Sequence, residues 1–199
     1  MEYVFLIMIA GVAAAFVLQG RSTLKDKKAL LMVKTQVLAK APEAYFELGK
    51  IAEESGDSDE ALLHYRKSSE LGFGAASHAL GEIQFRRGAL NKYFEYELKA
   101  AEQGYEPAMR NLAGAYKQGQ GTLKNIGKST HWLLRSAENG NAESMTKVAM
   151  AYVEGYGVAE NPMEGLAWLY VAEFSKNDKA AALIKSAEAK LNNSLILMA

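Results

Sequence analysis

No cysteine occurs among the 199 residues. That excludes disulfides, thiol nucleophiles and cysteine-based metal sites, but it assigns no compartment, because oxidising and reducing environments both hold cysteine-free proteins. Neither sign of charge is in surplus, since Lys+Arg and Asp+Glu both number 23. Nothing therefore drives the counterion release that underlies nucleic-acid affinity, and no nucleic-acid partner is expected. Histidine is scarce. His64, His78 and His131 have no second His at i+3 or i+4 and form no H-E-x-x-H pattern, so no metal site is expected either. What remains is 49% apolar and 23% charged, a globular composition with enough apolar side chains for a real core.

Tyr3 to Leu18 carries no polar side chain. Extended to Gly20 it would rise about 27 Å as a helix, close to the hydrocarbon thickness of a bilayer. Only Met1 and Glu2 precede it, without the basic stretch of a secretory signal, so residues 1–20 read as a retained transmembrane anchor with 3–20 in the membrane. Arg21, Lys25, Lys27, Lys28 and Lys34 all follow the span, which places the remainder on the cytoplasmic side by the positive-inside rule. Residues 21–41 then read as an amphipathic helical linker through Leu24, Leu30, Leu31, Val33, Val37 and Leu38, with Pro42 as its punctuation.

Self-similarity organises the rest. Four segments align: AYFELGKIAEESG from Ala44, ASHALGEIQFRRG from Ala76, AMRNLAGAYKQG from Ala108 and SMTKVAMAYVEG from Ser144. Their anchors Leu48, Leu80, Leu112 and Val148 stand 32, 32 and 36 residues apart. Second halves begin at Glu60, Lys92, Lys128 and Glu164 and end on Gly72, Gly104, Gly140 and Asn177. A ring residue recurs at His64, Tyr96, Trp132 and Trp168, and small residues recur at Ser68/Ser69, Ala100/Ala101 and Ser136/Ala137. Large and small positions spaced in this way let one helix lie close on the next. Within each half the apolar spacing is helical and the closing glycine is a left-handed C-cap, so each unit is a helix, a turn and an antiparallel helix.

One hairpin cannot bury both its faces, but stacked hairpins can. The expected architecture is therefore all-α: a right-handed α-solenoid of about four antiparallel hairpins over residues 42–191, preceded by the membrane helix. Asp178–Leu191 is expected as a capping helix, and residues 192–199 as a C-terminal tail.

The third and fourth units carry a recognisable pattern. It runs through Leu112, Tyr116, Gly119, Gly121, Lys128, Trp132, Ala137 and Gly140 in one, and Val148, Tyr152, Gly155, Gly157, Val158, Ala167 and Trp168 in the other. This resembles the Sel1-like repeat family, relatives of the tetratricopeptide repeats. The first two units lack the G-x-G insert and have Ala52 and Gln84 in place of the tyrosine, so they lean toward the shorter tetratricopeptide form.

Other motifs have simpler structural explanations. Gly119-Gln120-Gly121 and Gly155-Tyr156-Gly157 follow no strand and lack the third glycine or the Lys-Ser/Thr of phosphate loops, so no cofactor is expected, and positive φ in a helix-to-helix loop explains them better. Ser22 and Ser144 each begin an S-x-x-K, the nucleophile motif of penicillin-interacting serine enzymes. The S-D-N-like and K-T-G-like elements of those enzymes are missing, so no catalytic residue is assigned. Asp57 or Ser58 reads as a helix N-cap.

The resemblance implies that the first helix of each hairpin lines a concave surface. Carried onto this sequence, its outward positions are Phe46, Lys50, His78, Glu82, Phe85, Arg110, Lys117, Thr146 and Met150. Aromatic, charged and flexible groups of this kind suit a peptide or helix from another protein. The expected function is a membrane-anchored scaffold or adaptor at a bacterial inner membrane, not an enzyme. A periplasm-facing accessory of pilus, secretion or polysaccharide assembly would need the opposite orientation. A serine enzyme acting on cell-wall or β-lactam substrates would need Ser22 or Ser144 as its nucleophile. Oligomeric state is not fixed by these residues.

Overall fold

The computed structural model describes residues 28, 32, 41–175 and 177–198. The expected membrane helix at 3–20 and nearly all of the 21–41 linker lie outside the described residues. No helix within the described residues is long and apolar enough to cross a membrane.

Nine helices and no strand make up the described residues. They are α1 (Pro42–Glu54), α2 (Ser58–Glu70), α3 (Gly74–Arg86), α4 (Leu90–Glu102), α5 (Glu106–Gln118), α6 (Ile126–Glu138), α7 (Ala142–Glu154), α8 (Pro162–Phe174) and α9 (Ala180–Met198). The all-α expectation holds. Helix α9 runs past Leu191 to Met198, through most of the segment read from the sequence as a tail. Two compact units divide the chain, one up to Ile83 and one from Gln84.

In the first unit, α1 and α2 pack as an antiparallel hairpin. The turn between them closes on Gly56 (φ +82°), whose N–H donates to the Glu53 carbonyl while that of Asp57 reaches back to Ala52. This pair of bonds is the Schellman cap that the closing glycine anticipates. Asp57 then caps α2, its carboxylate accepting from the Glu60 N–H at 3.0 Å. The hairpin is tight because α1 presents Gly49 to the ring of Tyr65, where a Cβ would stand 2.5 Å from ring carbons. Tyr65, 1% exposed, is the deeply buried ring of α2. His64, expected at the aromatic packing position, lies beside it, half-buried, with its ring 6.2 Å from that of Tyr45. Ser68 donates to the Pro42 carbonyl at 2.6 Å and joins the start of α1 to the end of α2.

From Gln84 onward each helix packs on its successor, from α4 on α5 to α8 on α9. Met109, Leu112, Val148 and Leu169 are fully buried along this stack. Burial of a side chain of that size stabilises by about 1.5–3 kcal/mol. The same cap recurs along the sequence: Asn125, Asn141 and Asn161 each accept from the N–H three residues on, at 2.9, 2.8 and 3.2 Å. Glu97 departs from the apolar pattern, being 1% exposed, and its carboxylate accepts from the Asn111 side chain at 2.9 Å.

The G-x-G loops do more than reverse the chain. Gly121 lies against the backbone of Leu90 at the start of α4, and Gly157 against that of Ile126 at the start of α6. A Cβ on Gly157 would stand 2.7 Å from the Ile126 carbonyl oxygen. The glycines are thus required by close approach as well as by positive φ, and each loop seats its hairpin on the one before.

Helix α8 is apolar on both sides. Leu169 and Ala172 are buried, while Met163, Tyr170, Val171 and Phe174 stay exposed, Phe174 at 92%. At the C-terminal end, Lys190 bonds the Val153 carbonyl and pairs with Glu160 at 3.0 Å, fastening α9 to the end of α7 and the loop after it.

Candidate functional site

A groove of about 650 Å³ lies wholly within the second unit. One face of α5 supplies Arg110, Ala113, Gly114 and Lys117 at i, i+3, i+4 and i+7. The parallel face of α7 supplies Glu143, Thr146, Lys147, Met150, Ala151 and Glu154. Between them α6 contributes Ser129, Thr130 and Leu133, the loop after α7 contributes Tyr156, and the far end is closed by Asn177, Lys179 and Leu183 at the start of α9.

The buried polar groups of this lining are already bonded. Ser129 donates to the Ala113 carbonyl at 2.7 Å and Thr130 to that of Tyr156 at 3.0 Å. Thr146 donates to the Glu143 carbonyl at 2.7 Å. The deep lining therefore offers methyl, aliphatic and thioether surface and leaves the charges on its exposed parts. Arg110 is held by Glu106 at 3.1 Å, and the same carboxylate oxygen accepts from Ser136 at 2.5 Å. Lys147 pairs with Glu143 at 2.8 Å. The bond from Lys147 and its charge hold the Glu143 carboxyl below its ordinary range, and the positive charges of Arg110 and Lys179 act in the same direction. Three cations, Lys147, Arg110 and Lys179, thus lie close enough to act on Glu143.

Of the nine surface positions expected from the sequence, Arg110, Lys117, Thr146 and Met150 line this groove together. Phe46 is half-buried in the first unit with its ring on Tyr65 and Phe73, at 5.6 and 5.2 Å. Lys50 stands over that ring and pairs with Glu47 at 3.0 Å. His78 and Glu82 are half-buried on α3. Phe85 is 44% exposed, with its ring 5.1 Å from that of Tyr93, and is outside the groove.

Sequence reasoning missed Lys147, Lys179 and Leu183. The signal was available, because the 36-residue offset that carries Leu112 onto Val148 also carries Glu143 onto Lys179 and Lys147 onto Leu183. The start of α9 occupies the place of a further first helix, and capping is only part of its role.

Ser144, the described member of the two S-x-x-K candidates, is fully buried. Its hydroxyl hydrogen-bonds that of Ser136 at 2.7 Å. It is a packing group between α6 and α7, and Lys147 is turned to Glu143. Ser22 lies outside the described residues.

The Sel1 repeat family model matches residues 42–73, 106–141 and 142–172. No curated protein matches the chain. Solved structures do. A Sel1 repeat protein from Oxalobacter formigenes aligns with a TM-score of 0.59 and 22% identity, over 82% of this chain and 67% of that one. A protective antigen of uropathogenic Escherichia coli strains that displays an SLR fold aligns with a TM-score of 0.57 and 26% identity, over 94% of this chain. The alignment takes in 47% of that antigen, so the chain spans about half its length. Matched three times by the family model and sharing the fold of these structures, the chain is a Sel1-repeat helical protein.

Proposed function

We propose that this protein is a scaffold that holds a segment of another protein in the groove between α5, α7 and the start of α9. Residues 3–20 anchor it in a bacterial inner membrane, with the repeats in the cytoplasm. The observation that carries the reading is the groove itself. Four of the positions chosen from the repeat pattern, Arg110, Lys117, Thr146 and Met150, come together around one concavity of about 650 Å³. That size accommodates a short segment. A bonded, largely apolar floor beneath charged edges is the composition of peptide-recognition surfaces. Anchoring rests on the apolar run and the orientation on the basic residues from Arg21 to Lys34.

Photo-crosslinkers at Arg110 and Met150 in the full chain, with one at the exposed His131 as control, test the groove in cells. Capture of one defined protein from the groove positions and not from His131 is expected. Equal capture from all three would overturn the reading. The natural absence of cysteine makes orientation directly measurable, since a single introduced cysteine at Glu138 should resist membrane-impermeant alkylation in intact cells if the repeats are cytoplasmic.

A further inference from the structure

We propose that the segment held in this groove is acidic, an apolar side chain on the floor being flanked by carboxylates. The inference rests on the peptide-scaffold reading above and adds the chemistry of the partner.

The lining carries four cations, Arg110, Lys117, Lys147 and Lys179, against two carboxylates, Glu143 and Glu154. Internal pairing uses part of that charge, since Arg110 is held by Glu106 and Lys147 by Glu143. No carboxylate among the described residues lies within ion-pair distance of Lys117 or Lys179. Against these two lysines stands Glu154, so the net surplus is one positive charge; on a chain whose overall charge is zero it is a local arrangement and not a share of a basic surface. A polyanion such as nucleic acid would need a longer basic track than two unpaired lysines provide. A free inorganic anion would leave the aliphatic floor of Leu133, Met150 and Leu183 unused.

Gly114 supports close approach by a chain. It lies inside α5, between Arg110 and Lys117 on the groove wall, and a Cβ there would meet nothing within 4 Å. A glycine inside a helix is destabilising by about 0.5–1 kcal/mol relative to alanine. Gly49 and Gly165 have packing reasons for being glycine, with a Tyr65 ring and an Ala149 carbonyl against them. Gly114 has none among the described residues, and it lines the cavity. Arg110 and Lys117 are two helical turns apart on this face, about 10 Å. In an extended peptide, which rises about 3.3 Å per residue with alternate side chains on one face, groove-facing carboxylates stand about 7 or 13 Å apart, a spread that the long, flexible Arg110 and Lys117 side chains bracket.

Fluorescence anisotropy with the full-length protein tests the proposal, using three labelled synthetic peptides that share a Leu-Phe centre and carry Glu, Gln or Lys at the flanking positions. The Glu peptide should bind at least tenfold more tightly than the Lys peptide, and raising the salt concentration should narrow the difference. The double variant Lys117→Glu/Lys179→Glu should reverse the order while leaving the thermal unfolding curve unchanged, since both side chains are exposed. Equal binding of the Glu and Gln peptides, lost on Met150→Glu but not in the lysine double variant, would overturn the acidic preference and leave the peptide groove standing. Preference for the Lys peptide, or no binding of the Glu peptide at millimolar concentration, would also overturn it. Crosslinking at Arg110 and Met150 in cells judges the scaffold reading independently.

Discussion

The carbonyl oxygen of Ile126 stands 2.7 Å from where a Cβ on Gly157 would have to be, so the loop of one hairpin and the helix start of the preceding one meet backbone to backbone. Gly157→Ala should cost roughly 2–4 kcal/mol, from the left-handed φ of +79° together with the clash. Gly121→Ala should behave alike against Leu90. Gly114→Ala should raise stability by about 0.5–1 kcal/mol. Urea unfolding midpoints of the three variants decide the matter. A neutral Gly157→Ala would contradict the backbone contact.

Ser136 and Ser144 form a buried pair that can be dissected. Ser136→Ala strands the fully buried hydroxyl of Ser144 and removes a bond to Glu106, at a cost of about 1–3 kcal/mol. At the corresponding places of the preceding hairpin stand Ala100 and Ala108, both fully buried. The double variant Ser136→Ala/Ser144→Ala should therefore cost less than the sum of the single ones. A double-mutant cycle in thermal unfolding reads the coupling, and strict additivity would mean that the hydroxyls act independently.

Acid should weaken the first unit through His64. Burial lowers its pKa from the ordinary 6.5 and outweighs the charge and hydrogen bond of Glu60, which act to raise it. The unfolded chain then binds the proton more readily than the folded one. The contribution is full above pH 6.5 and is lost as pH falls through the folded-state pKa. The unfolding midpoint should drop between pH 7.5 and 5.5, and His64→Gln should flatten that drop. An identical pH profile in the variant would remove His64 as the cause.

Helix α8 offers a contrast between two apolar faces. Met163→Lys with Phe174→Lys should leave stability within about 0.5 kcal/mol, because both side chains are exposed. Leu169→Ala, at a fully buried site, should cost about 2–5 kcal/mol. Equilibrium unfolding of the two variants measures both.

Much of this was legible from spacing. The recurrence of Leu48, Leu80, Leu112 and Val148 located the buried face of the first helix in each hairpin, and all four are at most 1% exposed. The closing glycines located the turns. Legibility failed where neighbours within one helix compete for the same space. His64 and Tyr65 are both large, and only the glycine opposite, Gly49, decides which ring goes in. Glu97 holds the position that Tyr65 and Leu169 fill elsewhere, and its buried carboxylate is bonded by Asn111, a partner fourteen residues away that no periodicity reveals. In the groove, Arg110, Lys117, Thr146 and Met150 followed from repeat position, whereas Phe46 was lost to the rings of Tyr65 and Phe73 because an aromatic at a half-exposed position is drawn inward by the apolar area it can cover. The place of Lys179 was not legible from its surroundings, because a charged side chain at the start of a terminal helix ordinarily faces water, and only the 36-residue offset from Glu143 sets it on the groove.

The stepwise packing of α4 to α9 also governs how the second unit would respond to force. Each helix is held mainly by its neighbours in the chain, so tension applied through the C-terminus would peel hairpins away one after another. Every 36-residue step would release about 120 Å of extended chain. The groove draws on α5, α7 and the first turn of α9, so its outermost wall would go with the first step. Grip on an occupant would be lost well before the central hairpin gave way, and such a site would act as a mechanical fuse.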